Sequence, residues 1–268
     1  MKFKILVIIL NIVLLLVFVS IFFIPVLNPA FSEITGKKYL FFIPVFLVLI
    51  IIFNAVYFKN RKIVESIESE DWTAVCLHLE DEVFSKKRMS FKNVRLLSET
   101  MLLLSDFAGL ERLETTVRAN KPEYLAKIAS NLAGGKLLSG KYQSLYDFTS
   151  GLAARRNNTD QWIVFYTAFS LQMLKEHKKA AERFLEIYDK VSVPLIRAMT
   201  GYFIFNILAT QAKLTPKEAE SGKQELKKEI LNDYNYTKWQ EYTEKQKEAI
   251  HILVFKKVID DTTDWLYK

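Results

Sequence analysis

The chain has 268 residues, half of them hydrophobic, a single cysteine and a formal net charge of +7. One cysteine excludes an intrachain disulfide and a cysteine-based zinc cluster. Seven of the 37 bases but only one of the 30 acids lie at or before Lys62, so the charge excess sits there; the rest is nearly neutral and lacks the basic footprint of a nucleic-acid binder.

From Ile5 to Leu27 the chain is almost wholly Ile, Leu, Val and Phe, broken by Asn11, Ser20 and Pro25. A second run of the same character extends from Tyr39 to Phe58, and the polar stretch Asn28 to Lys38 separates them. Roughly twenty apolar residues at 1.5 Å each match a hydrocarbon core of about 30 Å, and backbone in lipid must satisfy its own hydrogen bonds. The expectation is a hairpin of two transmembrane helices, about 4–27 and 39–58, within a segment 1–62. The first run is too long, and lacks the small-residue cleavage site, for a secretory signal. Lys2, Lys4, Lys59, Arg61 and Lys62 at the outer ends outnumber Lys37 and Lys38 in the loop. Both ends, and the domain that follows, are therefore expected in the cytoplasm, the whole in a bacterial inner membrane. Asn11 and Asn54 lie at similar depths from that side. Either they hydrogen-bond to each other and set the helix packing, or each amide meets headgroups and water.

Residues 63–268 are expected to be helical, since Gly and Pro are scarce and alternating apolar runs are few. Within them a block recurs. Glu70-Asp71-Trp72-Thr73-Ala74-Val75 is echoed by Ser105-Asp106-Phe107-Ala108-Gly109-Leu110, by Gly140-Lys141-Tyr142-Gln143-Ser144-Leu145 and by Glu176-His177-Lys178-Lys179-Ala180-Ala181, at offsets of 35, 35 and 36. Each block reads small or polar, polar, usually aromatic, two variable positions, aliphatic, and joins two apolar helical stretches. Val94, Leu97, Ser98 and Met101 before the second block, and Leu110, Val117 and Pro122 after it, complete a pattern that resembles the tetratricopeptide repeat. Phe165, Ala168, Phe169, Ala181, Leu185 and Tyr188 fill the same places around the fourth. The resemblance covers about Val56 to Pro194. Lys136 at a packing place and Glu114 in place of an aromatic depart from it.

The resemblance implies an α-solenoid of helix-turn-helix pairs, in an all-α fold, that recognises a protein or peptide through a groove lined by the first helix of each pair. That groove would present Lys92, Arg95 and Glu99, then Lys127 and Ser130, then Ile163, Tyr166 and Ser170. The family's two-lysine, asparagine-rich carboxylate clamp is not reproduced. Two membrane helices followed by such units are also similar in layout to HemY-like bacterial membrane proteins.

Helix punctuation agrees with paired helices. Thr159 or Asp160 can cap the run from Gln161, and Thr215-Pro216-Lys217-Glu218 reads as a capping box. Val193 to Gln211 is too short and too interrupted by Arg197 and Asn206 for a third span, so it is expected as a surrounded solenoid helix. Tyr236 to Lys268 places Trp239, Tyr242, Ala249, Ile250, Leu253, Val254 and Val258 near one face and is expected to cap the stack.

Chemistry is not suggested. His78, His177 and His251 lie on separate helices without ligand spacing, Gly134-Gly135 sits in a helical pattern, and Asp260, Asp261 and Asp264 lack the form of a calcium loop. No catalytic residue, cofactor or metal is expected. The function expected is a membrane-anchored, non-enzymatic scaffold that docks a protein partner. Its alternatives are an accessory of an envelope or motility complex on the periplasmic side, or a small-molecule sensor or enzyme subunit.

Overall fold

The structure, a computed structural model, describes residues 2–27, 42–154 and 160–268. Among the described residues all regular structure is helical and no strand occurs. The expected polar stretch 28–38 with Lys37 and Lys38, the start of the second apolar run at 39–41 and the cap candidate Thr159 lie outside them. Contacts divide the chain into two compact units, Met1–His78 and Leu79–Lys268.

In the first unit α1 (Lys2–Leu27) packs on α2 (Phe42–Glu68). Phe18 stacks on Phe46 with ring centroids 6.3 Å apart, while among the described side chains of both helices most aliphatic ones up to Phe58 are exposed. α2 does not stop at Phe58. It continues across Lys62 and Ile63, where the sequence places a domain boundary, as far as Glu68. Among the described residues no single helix is long and apolar enough to cross a membrane. The apolar part of α1 counted there is Val7–Ser20, and Pro44–Phe58 with Arg61–Glu68 passes only as a pair bent by 58°.

The repeat is written in the backbone. Glu70, Ser105, Gly140 and Lys175 are left-handed, with φ of 56°, 57°, 72° and 62°. The residue after each sends its N–H five residues back, to the carbonyls of Ser66, Met101, Lys136 and Leu171, at 2.8–3.0 Å. The left-handed residue itself donates to Ile67, Leu102, Leu137 or Gln172 at 3.0–3.1 Å. This pairing satisfies the last carbonyls of one helix while reversing the chain. The next helix then starts two residues later each time: α3 (Trp72–Glu80), α5 (Phe107–Asn120), α8 (Tyr142–Ala153) and α10 (His177–Tyr188). The spacing is 35 throughout. The fourth turn therefore centres on Lys175, one residue before the position that matching of residue types assigned it, because a lysine in the left-handed position carries no turn signature.

The first helices of the pairs in the second unit are α4 (Phe91–Leu103), α7 (Ala129–Leu138, after the short α6, Pro122–Leu125), α9 (Gln161–Met173) and α11 (Pro194–Tyr202). Each packs on its neighbour in that row, α4 on α7, α7 on α9 and α9 on α11. Each of α4, α7 and α9 also packs on its own partner, α5, α8 or α10, and each partner touches the next first helix. A unit of two short helices cannot enclose its apolar face alone, so the core runs between pairs. Val75, Leu110, Leu145 and Ala180, equivalent in the four turns, are at most 3% exposed. After α11 a π-helical turn, Phe203–Ile207, precedes a fifth turn of the same hydrogen-bond form at Lys213, 38 residues beyond Lys175. α12 (Pro216–Asp233) opens with the Thr215–Glu218 capping box.

The C-terminal stretch differs from the expected single cap. It is three helices, α13 (Tyr236–Lys247), α14 (Ile250–Leu253) and α15 (Lys256–Tyr267). Ala249 is extended (ψ 118°), which breaks the helical phase, so Trp239 is fully buried whereas Leu253 faces solvent. α14 packs against α4 and α7, and α15 against α11 and α12. The stretch thus lies along the row of first helices rather than across one end.

Candidate functional site

The residues expected to line a partner groove lie on α4, α7 and α9, or on the turn before α7, and the C-terminal stretch covers part of that row. Lys92 and Arg95 are exposed, and Arg95 Nε donates to Glu99 Oε1 at 2.8 Å. Lys127 is exposed, with its ammonium 4.9 Å from the centre of the Phe91 ring. Ser130 donates to Asp160 Oδ2 at 3.0 Å, and Asp160 caps α9 by accepting from the Trp162 N–H at 2.9 Å. Ile163 and Ser170 are buried.

Tyr166 is also fully buried, and its hydroxyl donates to the carbonyl of His251 at 2.8 Å. Burial pushes its phenol well above the usual range. Phe255, 1% exposed, meets Tyr166, Phe169, Phe165 and Trp162 at centroid distances of 4.9, 5.1, 5.3 and 5.9 Å. His251 stands edge-on to Trp162 at 5.8 Å. Burial lowers its pKa, the charges of Asp160 and Glu99 oppose this, and Arg95 adds to it. Tyr166 is therefore a core residue here, and of the residues expected to line the groove Lys92, Arg95 and Lys127 are the exposed ones. α9 carried the signal for this. Its residues are apolar nearly all round, which marks a helix covered on every side.

The two departures from the repeat pattern meet each other. Glu114 stands where Leu79, Thr149 and Phe184 stand in other pairs, and Lys136 where Met101 and Leu171 do. Lys136 Nζ lies 2.8 Å from Glu114 Oε2, with both side chains mostly buried, and Arg118 reaches Oε1 at 2.8 Å. In the first unit Asn11 and Asn54 are also brought together. Asn11 Nδ2 donates to Asn54 Oδ1 at 3.2 Å, and Asn54 Nδ2 donates to Asn11 Oδ1 at 2.9 Å.

On another side of α5 a cleft of about 590 Å³ opens, lined by Val83, Phe84, Lys87, Met89, Arg112, Thr116, Asn120 and Lys121. Arg112, Thr116 and Asn120 follow one another at four-residue steps along α5, so they share one wall. The other wall comes from the π-helical turn Asp81–Ser85 and the segment after it, where Lys87 is left-handed at φ 54°. Sequence reading passed over these residues. The run Lys86-Lys87-Arg88 before Met89 was the available signal. Among the described residues no group of three or more His, Cys, Asp or Glu could hold a metal ion.

The family model described as "Uncharacterised Treponema protein" matches residues 109–268. A Treponema pallidum (strain Nichols) protein described as "Uncharacterized protein" is 33% identical over 278 residues, covering all of this chain and 88% of its own length. No solved structure matches.

Proposed function

Because this chain belongs to the family described as uncharacterised Treponema protein, we propose from its own residues that it is a membrane-anchored, non-enzymatic scaffold of the inner membrane. Its α1–α2 hairpin crosses the bilayer, and its tetratricopeptide-like pairs, on the cytoplasmic side, dock a protein partner. The observation that carries this reading is the run of four turns with one hydrogen-bond scheme at a 35-residue period. A stack of this kind offers surface rather than a reaction chamber. Membrane anchoring is supported by the apolar stretch Val7–Ser20 of α1 beside the bent pair Pro44–Phe58 and Arg61–Glu68 of α2, neither of them a full span as a single helix, by the exposed aliphatic side chains described on both helices and by the Asn11–Asn54 pair.

The C-terminal stretch already covers part of the row of first helices, so docking falls to the surfaces left exposed. Alkaline carbonate washing of cell membranes tests the anchor, and the full chain should remain in the pellet. Lysine-reactive cross-linking in the same membranes tests docking. A discrete heteromeric adduct of the full chain is the expected result. Release of the chain by carbonate, or adducts with itself alone, would remove the respective half of the proposal.

A further inference from the structure

The cleft beside α5 combines weakly paired positive charge with a small apolar surface. Lys87 makes no ion pair among the described residues, Arg112 reaches Glu80 only at 4.0 Å, and Lys121 reaches Glu123 only at 3.9 Å. No Asp or Glu is among the lining residues. Nearby cations are already matched: Lys86 lies 2.6 Å from Asp81, and Arg88 lies 3.3 Å from Glu82. The Arg112 guanidinium is held 4.0 Å over the Phe84 ring, which fixes its direction without consuming its donors. Met89 is half-buried and Val83 almost fully buried, so the apolar surface the cleft offers is chiefly that of Met89.

Resting on the scaffold reading above, we propose that this cleft docks an acidic segment of the partner protein, a short stretch in which two or more carboxylates flank an apolar side chain. The carboxylates would meet Arg112, Lys87 and Lys121, and the apolar side chain would lie on Met89. Charge complementarity selects this occupant. A planar base would need an open aromatic face, and Arg112 covers that of Phe84. A phosphodiester backbone would gain nothing from the apolar surface of Met89, and residues 63–268 lack the basic excess that such a backbone demands. An acidic and apolar peptide uses both features. Its rim ion pairs, each worth less than about 1 kcal/mol, together supply on the order of tenfold in affinity.

The test uses the purified full chain in zwitterionic lipid nanodiscs, with fluorescence anisotropy of a labelled peptide of repeated Glu-Glu-Leu and of its Gln-Gln-Leu counterpart. The acidic peptide is expected to bind about tenfold tighter than the amide one, and to weaken as salt rises. The triple variant Lys87→Gln, Arg112→Gln, Lys121→Gln should lose that advantage. The control Lys217→Gln, Lys228→Gln, Lys238→Gln should keep it, and both should retain the helical circular dichroism of the parent. Equal binding of the two peptides, no binding at about 1 mM, or an unaffected triple variant overturns the proposal. So does displacement of the peptide by millimolar inorganic phosphate, which would assign the cleft to phosphate groups. Binding of the cleft to vesicles containing phosphatidylglycerol, lost in the triple variant, would assign it to lipid and overturn it equally. If cross-linking still yields a heteromeric adduct while the acidic peptide fails, only the location falls and the scaffold reading stands.

Discussion

Lys136 and Glu114 each look like errors when the repeats are aligned, since equivalent positions hold Met101, Leu171, Leu79 and Phe184. Their 2.8 Å contact links α5 of one pair to α7 of the next, so each departure is the condition of the other. Breaking such a pair from one side strands a buried charge, whereas replacing both partners by apolar groups can be neutral. Glu114→Leu alone should cost about 3 kcal/mol, and Glu114→Leu with Lys136→Met should fall within about 1 kcal/mol of the parent. Denaturant unfolding of the parent, both single variants and the double variant measures this; strictly additive losses would deny the coupling. Each residue was visible in the sequence as an exception. That the two meet was not, because 22 positions along the chain separate them and only the stacking of pairs closes that gap.

At the scale of the element, the turns explain why a period could be read while its phase slipped. The left-handed position is held by Glu70, Ser105, Gly140 and Lys175, residues with nothing in common as types. Only glycine enters that conformation without steric cost, so the three other turns persist because five-back hydrogen bonds and the packing of the next helix hold them. Two opposite effects follow. Lys175→Gly should stabilise the chain by about 0.5–1 kcal/mol, and Gly140→Ala should destabilise it by about 1 kcal/mol. Thermal unfolding of the two variants decides; a destabilised Lys175→Gly would mean that its side chain, not its backbone, sets the fourth turn. Helix starts with side-chain caps at Asp160 and Thr215 were legible because capping is local. The breaks at Ala249 and after Leu253 carry no such mark.

For the whole molecule, the all-helical, paired architecture was legible, and the fate of the row of first helices was not. The contact that covers part of it joins Tyr166 to His251 across 85 residues, and no local pattern encodes it. Tyr166, expected to face a partner, instead belongs with Phe255 to an aromatic core. Phe255→Ala should accordingly cost about 3–5 kcal/mol in thermal or denaturant unfolding, a loss that a free C-terminal tail would not produce.

His251 turns the same closure into a pH dependence. Burial holds its imidazole below the ordinary 6.5, against the raising influence of Asp160 and Glu99 and with the lowering influence of Arg95. Between 6.5 and the lower folded value, the unfolded chain binds a proton that the folded chain does not. Stability contributed by the neutral ring is thus present above 6.5 and declines as pH falls below it. Comparing Tm at about pH 7.5 and about pH 5.5 for the full chain and for His251→Gln isolates that share, since the carboxylates titrate in both. The variant should lose less stability on acidification than the parent. Identical losses would mean that the stretch around His251 opens before its ring is protonated, and the covered row of first helices would then be a labile contact rather than part of the core.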